Sequence, residues 1–417
     1  MSTIKKNNFK VLTLYILLLL PFFGPRGTIV INQTVTKVLY TYFPIAISLL
    51  MFAMLLKTKK ISHVNVLIIF FFMYLIGITF LRKGDITSII HTSIKSIGIC
   101  LLFDYGLRND TKIFIKSIYI LLTILLCINF ITIILFPSGM YISDTSYTGN
   151  WFLGFRNVHI LFIFPAIIFN KTNSYLSNSK SKISNYIFTL FCLLSLVLAG
   201  SSTSSLGVFC IFVYMLLENK PIMKKINIKI LTIIFLILYL SITIFRLQNM
   251  FEYLIVNILN RNLTFTNRIY IWDQVIQYIK LNPILGYGIE FRKIRLLKTN
   301  PISYHAHNQI LEIIYQSGFI GFAIAFLATF ISFKKLQKNS TEYISRFLSF
   351  AMFVFFVMTI TEAYAYDYFI YLLVLCSNID IIIKEANKKW KKLSITLWVC
   401  YIIYQIKLLT KFYIKKE

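Results

Sequence analysis

A chain of 417 residues that is 58% hydrophobic and only 14% charged has too little polar surface for a soluble protein, and its apolar runs repeatedly reach the ~20 residues that cross a bilayer. Those runs are too continuous for the alternation of a β-barrel, so the expected fold is an all-α polytopic membrane protein. The net charge of +28 sits in short Lys clusters between apolar runs, which reads as topology signals and contacts with anionic membrane lipids and argues against nucleic acid as a partner.

The chain opens with Lys5, Lys6 and Lys10 ahead of an apolar run from Val11 to Phe23. No small-x-small cleavage site follows, so this reads as a retained first span. Hydropathy predicts twelve spans, at 10–24, 38–56, 64–81, 86–103, 113–136, 157–169, 183–200, 205–217, 228–246, 309–333, 346–362 and 368–383. The fourth carries His91 and Lys95 one turn apart. The sixth is short and holds Pro165, and is expected to be broken or partly re-entrant. The stretch 393–409, with Gln405 and Lys407, reads either as a thirteenth span or as an interfacial helix. All six cysteines fall in apolar runs with no C-x-x-C, which fits buried thiols and neither disulfides nor zinc.

Basic residues orient the spans. The loops 1–10, 57–62, 104–112, 170–182, 218–229, 334–346 and 384–392 hold 24 Lys and Arg, against 5 in 25–37, 82–85, 137–156, 200–204 and 363–367. The positive-inside rule therefore places the N-terminus in the cytoplasm. The chain then divides into a nine-span region 1–246, an extracytoplasmic loop 247–308 and a C-terminal transmembrane region 309–417. The loop is expected to be structured. From Asn267 to Leu281, Ile269, Trp272, Ile276 and Ile279 recur at helical spacing, and Asn282-Pro283 stops the pattern, which predicts an amphipathic helix lying on the membrane. Gly286 and Gly288 then supply a turn. Arg261, Arg268, Arg292, Lys293, Arg295 and Lys298 outnumber the acids here, and they ask for an anion.

The polar end of this loop carries the candidate chemistry. Tyr304-His305-Ala306-His307-Asn308 brings two imidazoles to the mouth of a span, and His takes and returns protons near neutral pH. An interfacial His pair capping a helix is the plainer reading of these residues alone. His307 is the candidate general base, with His305 and Asn308 in support. Positions 307, 311, 314, 318 and 321 share one helical face, where Gly318 and Gly321 would let a neighbouring helix approach closely. Arg268 offers a guanidinium fork for phosphate oxygens. Arg156 is a second candidate, and Arg292 with Arg295, three apart, a third. No D-x-D occurs, and Asp85, Asp144, Glu252, Asp273, Glu290, Glu362 and Asp367 are scattered, so no metal site is expected. The run Gly200 to Ser205 reads as small-residue packing.

His307-Asn308, nine residues and then Gly318-x-x-Gly321 resembles the signature of the O-antigen ligase and polysaccharide polymerase family. Arg268-x-x-x-Trp272 followed by Asn282-Pro283-Ile284-Leu285-Gly286-Tyr287-Gly288 resembles it too. The likeness covers roughly 266–322. It implies a GT-C-like membrane glycosyltransferase of the bacterial cytoplasmic membrane that uses neither metal nor cofactor. Its donor would be a polyprenyl-diphosphate-linked oligosaccharide and its acceptor a glycan, with other polysaccharide-assembly membrane proteins as partners. On this sequence His307 would deprotonate the acceptor, and Arg268, with Arg156, Arg292 and Arg295 as further contacts, would hold the diphosphate. The family often shows a Ser-Arg pair at the end of the seventh or eighth span; here Gly200-Ser201-Ser202-Thr203-Ser204 has no Arg. That departure brings Arg156 forward and tilts the expectation toward a polymerase over a ligase. A transporter of lipid-linked sugars would show internal repeats, and none is visible.

Overall fold

A computed structural model describes residues 2–143, 146–178, 182–247, 268–298 and 305–388. Asp144, Glu252, Arg261, Asn267, Tyr304 and the stretch 393–409 lie outside the described residues. A helix stands at each of the twelve predicted spans. Five are long and apolar enough to cross a membrane by length and composition: Gln33–Thr58, His63–Leu81, Ile86–Asn109, Thr111–Leu135 and Gln309–Lys338. Shorter apolar helices accompany them at Asn8–Phe22, Ile183–Leu198, Ser202–Leu217, Ile228–Ile244 and Tyr343–Met358. The protein is a multi-pass membrane protein.

The sixth predicted span differs from expectation. It is an unbroken helix, Ile160–Ser177, with Pro165 inside it and every residue from Ile160 to Thr172 buried. Pro165 lies in the second turn and removes the backbone bond to Leu161, and burial on every side holds the helix together across it, since a helix apolar on all sides belongs in the middle of a bundle. The main core gathers round it. Phe103 packs edge-on against Phe114 and lies close to Phe169 and Tyr371. Leu102, Ile118, Phe164 and Phe347 complete the same buried cluster.

One segment departs from helix. Tyr141–Ser143, Ser146–Trp151 and Gly154–Phe155 form a three-stranded antiparallel sheet. It rests on the end of Thr111–Leu135: the Trp151 indole donates to the Phe136 carbonyl at 2.8 Å and the Leu153 N–H to Asn129 Oδ1 at 2.9 Å. The Gly27 N–H donates to the Phe152 carbonyl at 2.8 Å from the far side. The sheet delivers Arg156 and Asn157 to one end of the bundle.

A second apolar cluster lies at that end. The helix Arg268–Leu281 buries Ile271, Trp272, Val275 and Ile279 against Tyr239, Leu311, Tyr315 and Ile360. This helix is docked on protein, and its buried stripe is rotated from the predicted one: Ile269 and Ile276 are only partly buried at its rim.

Candidate active site

The long helix Gln309–Lys338 carries two structural decisions, one at its start and one at Gly318. At the start, Asn308 is the N-cap: its Oδ1 accepts from the Leu311 N–H at 3.1 Å, the usual way to satisfy an orphan amide there. The Asn308 side chain is fully buried and also meets the Tyr239 hydroxyl and Thr243 Oγ1, each at 3.4 Å. Just before it, His307 takes a left-handed conformation with φ 49°, uncommon for a residue with a side chain. Its N–H is held by His305 Nδ1 at 3.2 Å, and the two rings lie 4.0 Å apart.

At Gly318 the helix breaks, with φ 61° and ψ −171°. The freed Tyr315 and Gln316 carbonyls accept from Tyr287 and Gly288, at 2.9 and 2.8 Å, while the Phe319 N–H donates to the Pro283 carbonyl at 2.8 Å. The loop Asn282–Gly288 is thus threaded into the break. A Cβ on Gly318 would strike the Ile284 carbonyl, and one on Gly286 would strike the Gly318 backbone. Gly318 therefore serves a loop and does not continue the face of His307. Gly321 does lie close to another helix, near Tyr74 on His63–Leu81. Arg82 locks the loop from outside, donating to the Gly286 carbonyl at 3.1 Å and to Asn282 Oδ1 at 2.7 Å.

Three polar groups converge on one carboxylate. Glu362, just past Tyr343–Met358, accepts from Arg268 Nη2 at 2.8 Å and from Asn157 Nδ2 at 3.2 Å on Oε1, and its Oε2 lies 3.7 Å from His307 Nδ1. Arg268 Nη1 also bonds to the Thr361 carbonyl. Burial would raise the Glu362 carboxyl; the His307 imidazole and the Arg268 guanidinium outweigh it and hold the group below its ordinary value. Next to it, desolvation, and then the neighbouring His307, push His305 down to about 3. His305 is therefore neutral near pH 7, with Nδ1 as an acceptor, and it positions the His307 backbone.

The other candidates fall in two places. Arg156 is exposed on the turn Arg156–Val158, beside Asn157, and its Nη1 lies 3.6 Å from where a Cβ on Gly200 would stand. It thus reaches the segment where the Ser-Arg pair was missing. Arg292 and Arg295 line one opening together but differ in burial. Arg292 is exposed, whereas Arg295 is 4% exposed, stacked 3.4 Å over the Tyr315 ring and paired with Glu312 at 2.9 Å. Trp272 is wholly buried beneath the Arg246 guanidinium, 5.3 Å from the ring. Sequence reasoning passed over Glu362, Asn157 and Glu312. Their one signal was being acids or amides at the ends of predicted spans.

Residues 187–326 match the family model described as O-antigen ligase. The match carries with it membrane glycosyltransferase activity and lipid-linked glycan as the substrate class. It contains Arg268, Trp272, His307, Gly318 and Gly321; Arg156, Asn157 and Glu362 lie outside it. No curated protein matches the chain.

Proposed function

We propose that this protein polymerises polyprenyl-diphosphate-linked oligosaccharide repeat units into a capsular or surface polysaccharide, on the outer face of a bacterial cytoplasmic membrane. The twelve helices would all span, with the N-terminus in the cytoplasm and 247–308 outside. The observation that carries the reading is the meeting of Arg268, His307 and Asn157 at Glu362, with Arg156 next in the chain to Asn157.

The chemistry is an inverting displacement. His307 Nε2 takes the proton of an acceptor hydroxyl. The oxygen forms a bond to the anomeric carbon on the face opposite the diphosphate. The carbon–oxygen bond to the diphosphate breaks, and its electron pair leaves on the polyprenyl diphosphate. Arg268 and Arg156 supply the positive charge for that leaving group, the part a divalent ion plays elsewhere. Arg268 keeps 17% of its side chain exposed while paired to Glu362, so its remaining N–H groups stay within reach of an anion. Glu362 faces Nδ1 of His307; this favours the tautomer that leaves Nε2 open and steadies the imidazolium that forms. The 3.7 Å separation is of the kind that tightens once substrate is bound.

A ligase that moves a finished chain onto another acceptor is the second reading, favoured by the description of the matching family. Purified protein given a synthetic polyprenyl-diphosphate oligosaccharide should build a ladder of longer products with EDTA present; a single transfer onto an added acceptor would select the ligase. His307→Ala should slow turnover by about 10²–10⁴-fold. A wild-type rate in that variant, or a ladder lost to EDTA, overturns the mechanism.

A further inference from the structure

The segment His305-Ala306-His307 is strung between two carboxylates. Glu362 faces the His307 ring, and on the other side Glu312 Oε2 accepts from the Ala306 N–H at 2.7 Å. Glu312 belongs to a cavity of its own. This opening of about 200 Å³ is lined by Asp85, Ser88, Glu290, Arg292, Arg295 and Glu312, with Gln316 beside them. It is far larger than the ~30 Å³ share of one water. Glu312 and Arg295 form a rigid floor, 7% and 4% exposed. The floor is fixed by the Arg295 pair at 2.9 Å and by Gln316 Nε2, which donates to Glu312 Oε1 at 2.6 Å. Ser88 and Arg292 are exposed at the mouth.

The lining selects its ligand by exclusion. Three carboxylates, Asp85, Glu290 and Glu312, meet the guanidiniums of Arg292 and Arg295, and Glu290 is paired with Lys298 at 2.5 Å; among the described residues the charges balance, which leaves no positive surplus to gather a diphosphate. Among the described residues Ile289 is the one aliphatic side chain in the wall, and the Tyr315 ring is covered by Arg295, so they offer no apolar groove to a polyprenyl tail. What remains suits a neutral, hydroxyl-rich molecule, because carboxylate, amide, hydroxyl and guanidinium groups offer donors and acceptors at fixed angles.

We propose that this cavity seats a sugar of the acceptor glycan, beside the segment that carries His307. The inference rests on the glycosyl-transfer reading above and adds the place where the acceptor binds. The donor's charge is met on the Glu362 side, where Arg268 and Asn157 converge; the acceptor is met on the Glu312 side. The Ala306 N–H bond joins the two, so a sugar held at Glu312 bears on the backbone that carries the base. Acceptor choice is then written in Asp85, Glu290 and Arg292, residues remote from the diphosphate, while Ser88 only borders the mouth.

The test plugs the mouth in folded protein. Ser88→Cys is purified and assayed before and after reaction with a bulky, membrane-impermeant thiol reagent, with wild-type protein treated in parallel. The acceptor probe is a lipid-free copy of the repeat-unit oligosaccharide, and the donor-side readout is the thermal shift produced by polyprenyl diphosphate. Labelling should raise the acceptor KM at least tenfold and leave the polyprenyl diphosphate shift unchanged. An unchanged acceptor KM at full labelling overturns the cavity assignment alone, as does a loss of the diphosphate shift, which would make this a donor site. Failure of the unlabelled variant and the wild type alike to form product overturns the transfer reading and this inference with it.

Discussion

Glu362 decides how much of the site can work as a unit. Its carboxylate is shared by a guanidinium that would hold the donor and an imidazole that would accept the proton. Glu362→Gln keeps the size and removes the charge. One charge-assisted hydrogen bond is worth about 1.5–3 kcal/mol, so kcat should fall roughly 10- to 100-fold, with a smaller change in donor KM and partial recovery in Glu362→Asp. Equal loss in the Asp and Gln variants would reduce Glu362 to a packing residue. His305 gives a second prediction at this scale. Folded, it stays neutral down to about 3, whereas its ordinary value is 6.5. Between these values the unfolded chain binds a proton that the fold refuses, so stability rises with pH across that window and levels off above it. Glu362 acts in the same direction: its lowered value adds stability above the ordinary carboxylate range, and this is lost as pH falls through the lowered value. Melting temperature in detergent should therefore drop on acidification, and His305→Asn, which keeps an acceptor without a titrating ring, should flatten that slope between about 6.5 and 3.

The broken helix tests the element scale. Gly318→Ala must place a methyl group against the Ile284 carbonyl at φ 61°. With ψ −171° this is a backbone region almost reserved for glycine, where a side chain costs on the order of 1–3 kcal/mol, and the loop Asn282–Gly288 would be pushed out of the break. Gly321→Ala also meets close atoms, Ser317 on its own helix and Tyr74 at 3.1 Å, and Ser317 Cβ moves only with its backbone, but Gly321 is not at a positive φ and adds no conformational strain. Thermal unfolding and product formation should both suffer more from Gly318→Ala; the reverse order would mean that the break is not what holds the loop. The spacing of His307, Gly318 and Gly321 was legible in the sequence, but the task of Gly318 was not. Apolar residues run through 309–333 on helical period without interruption, and the break exists only because a segment some thirty residues earlier supplies its hydrogen bonds. The rotated stripe of Arg268–Leu281 has a similar cause: Ile271 and Val275 are as apolar as Ile269 and Ile276, and only the docking partner decides which pair is buried. The small sheet before Arg156 escaped because strands of three, six and two residues carry too little alternation to stand out.

At the scale of the whole molecule, distant parts of the chain meet at one end, and sequence spacing is silent about such meetings. Arg268 and Glu362 are 94 positions apart, and Asn157 and Glu362 are 205 apart. The turn that carries Glu362 is anchored deeper in the bundle, where Lys95 on Ile86–Asn109 pairs with Asp367 at 2.8 Å, both nearly buried. The flag raised by Lys95 inside an apolar run thus resolves into an ion pair. Removing one member of such a pair costs about 3–5 kcal/mol, while replacing both with apolar residues is often neutral or better. Lys95→Met alone should therefore lower the melting temperature and the activity together, and Lys95→Met with Asp367→Leu should restore much of the first. The two ends of the bundle differ in charge. Helices leave the far end with Lys57, Lys59, Lys60, Lys220, Lys224, Lys225, Lys335 and Lys338, while the site end holds the converging Arg, His and Glu side chains. By the positive-inside rule we propose that the far end is cytoplasmic, the orientation that a lipid-linked donor outside the cytosol would require. In whole cells an impermeant thiol reagent should label a cysteine placed at Arg292 and spare one placed at Lys224. The opposite pattern would turn His307 and Arg268 toward the cytosol, away from an outward-displayed glycan, and the polymerisation reading would fall with the topology.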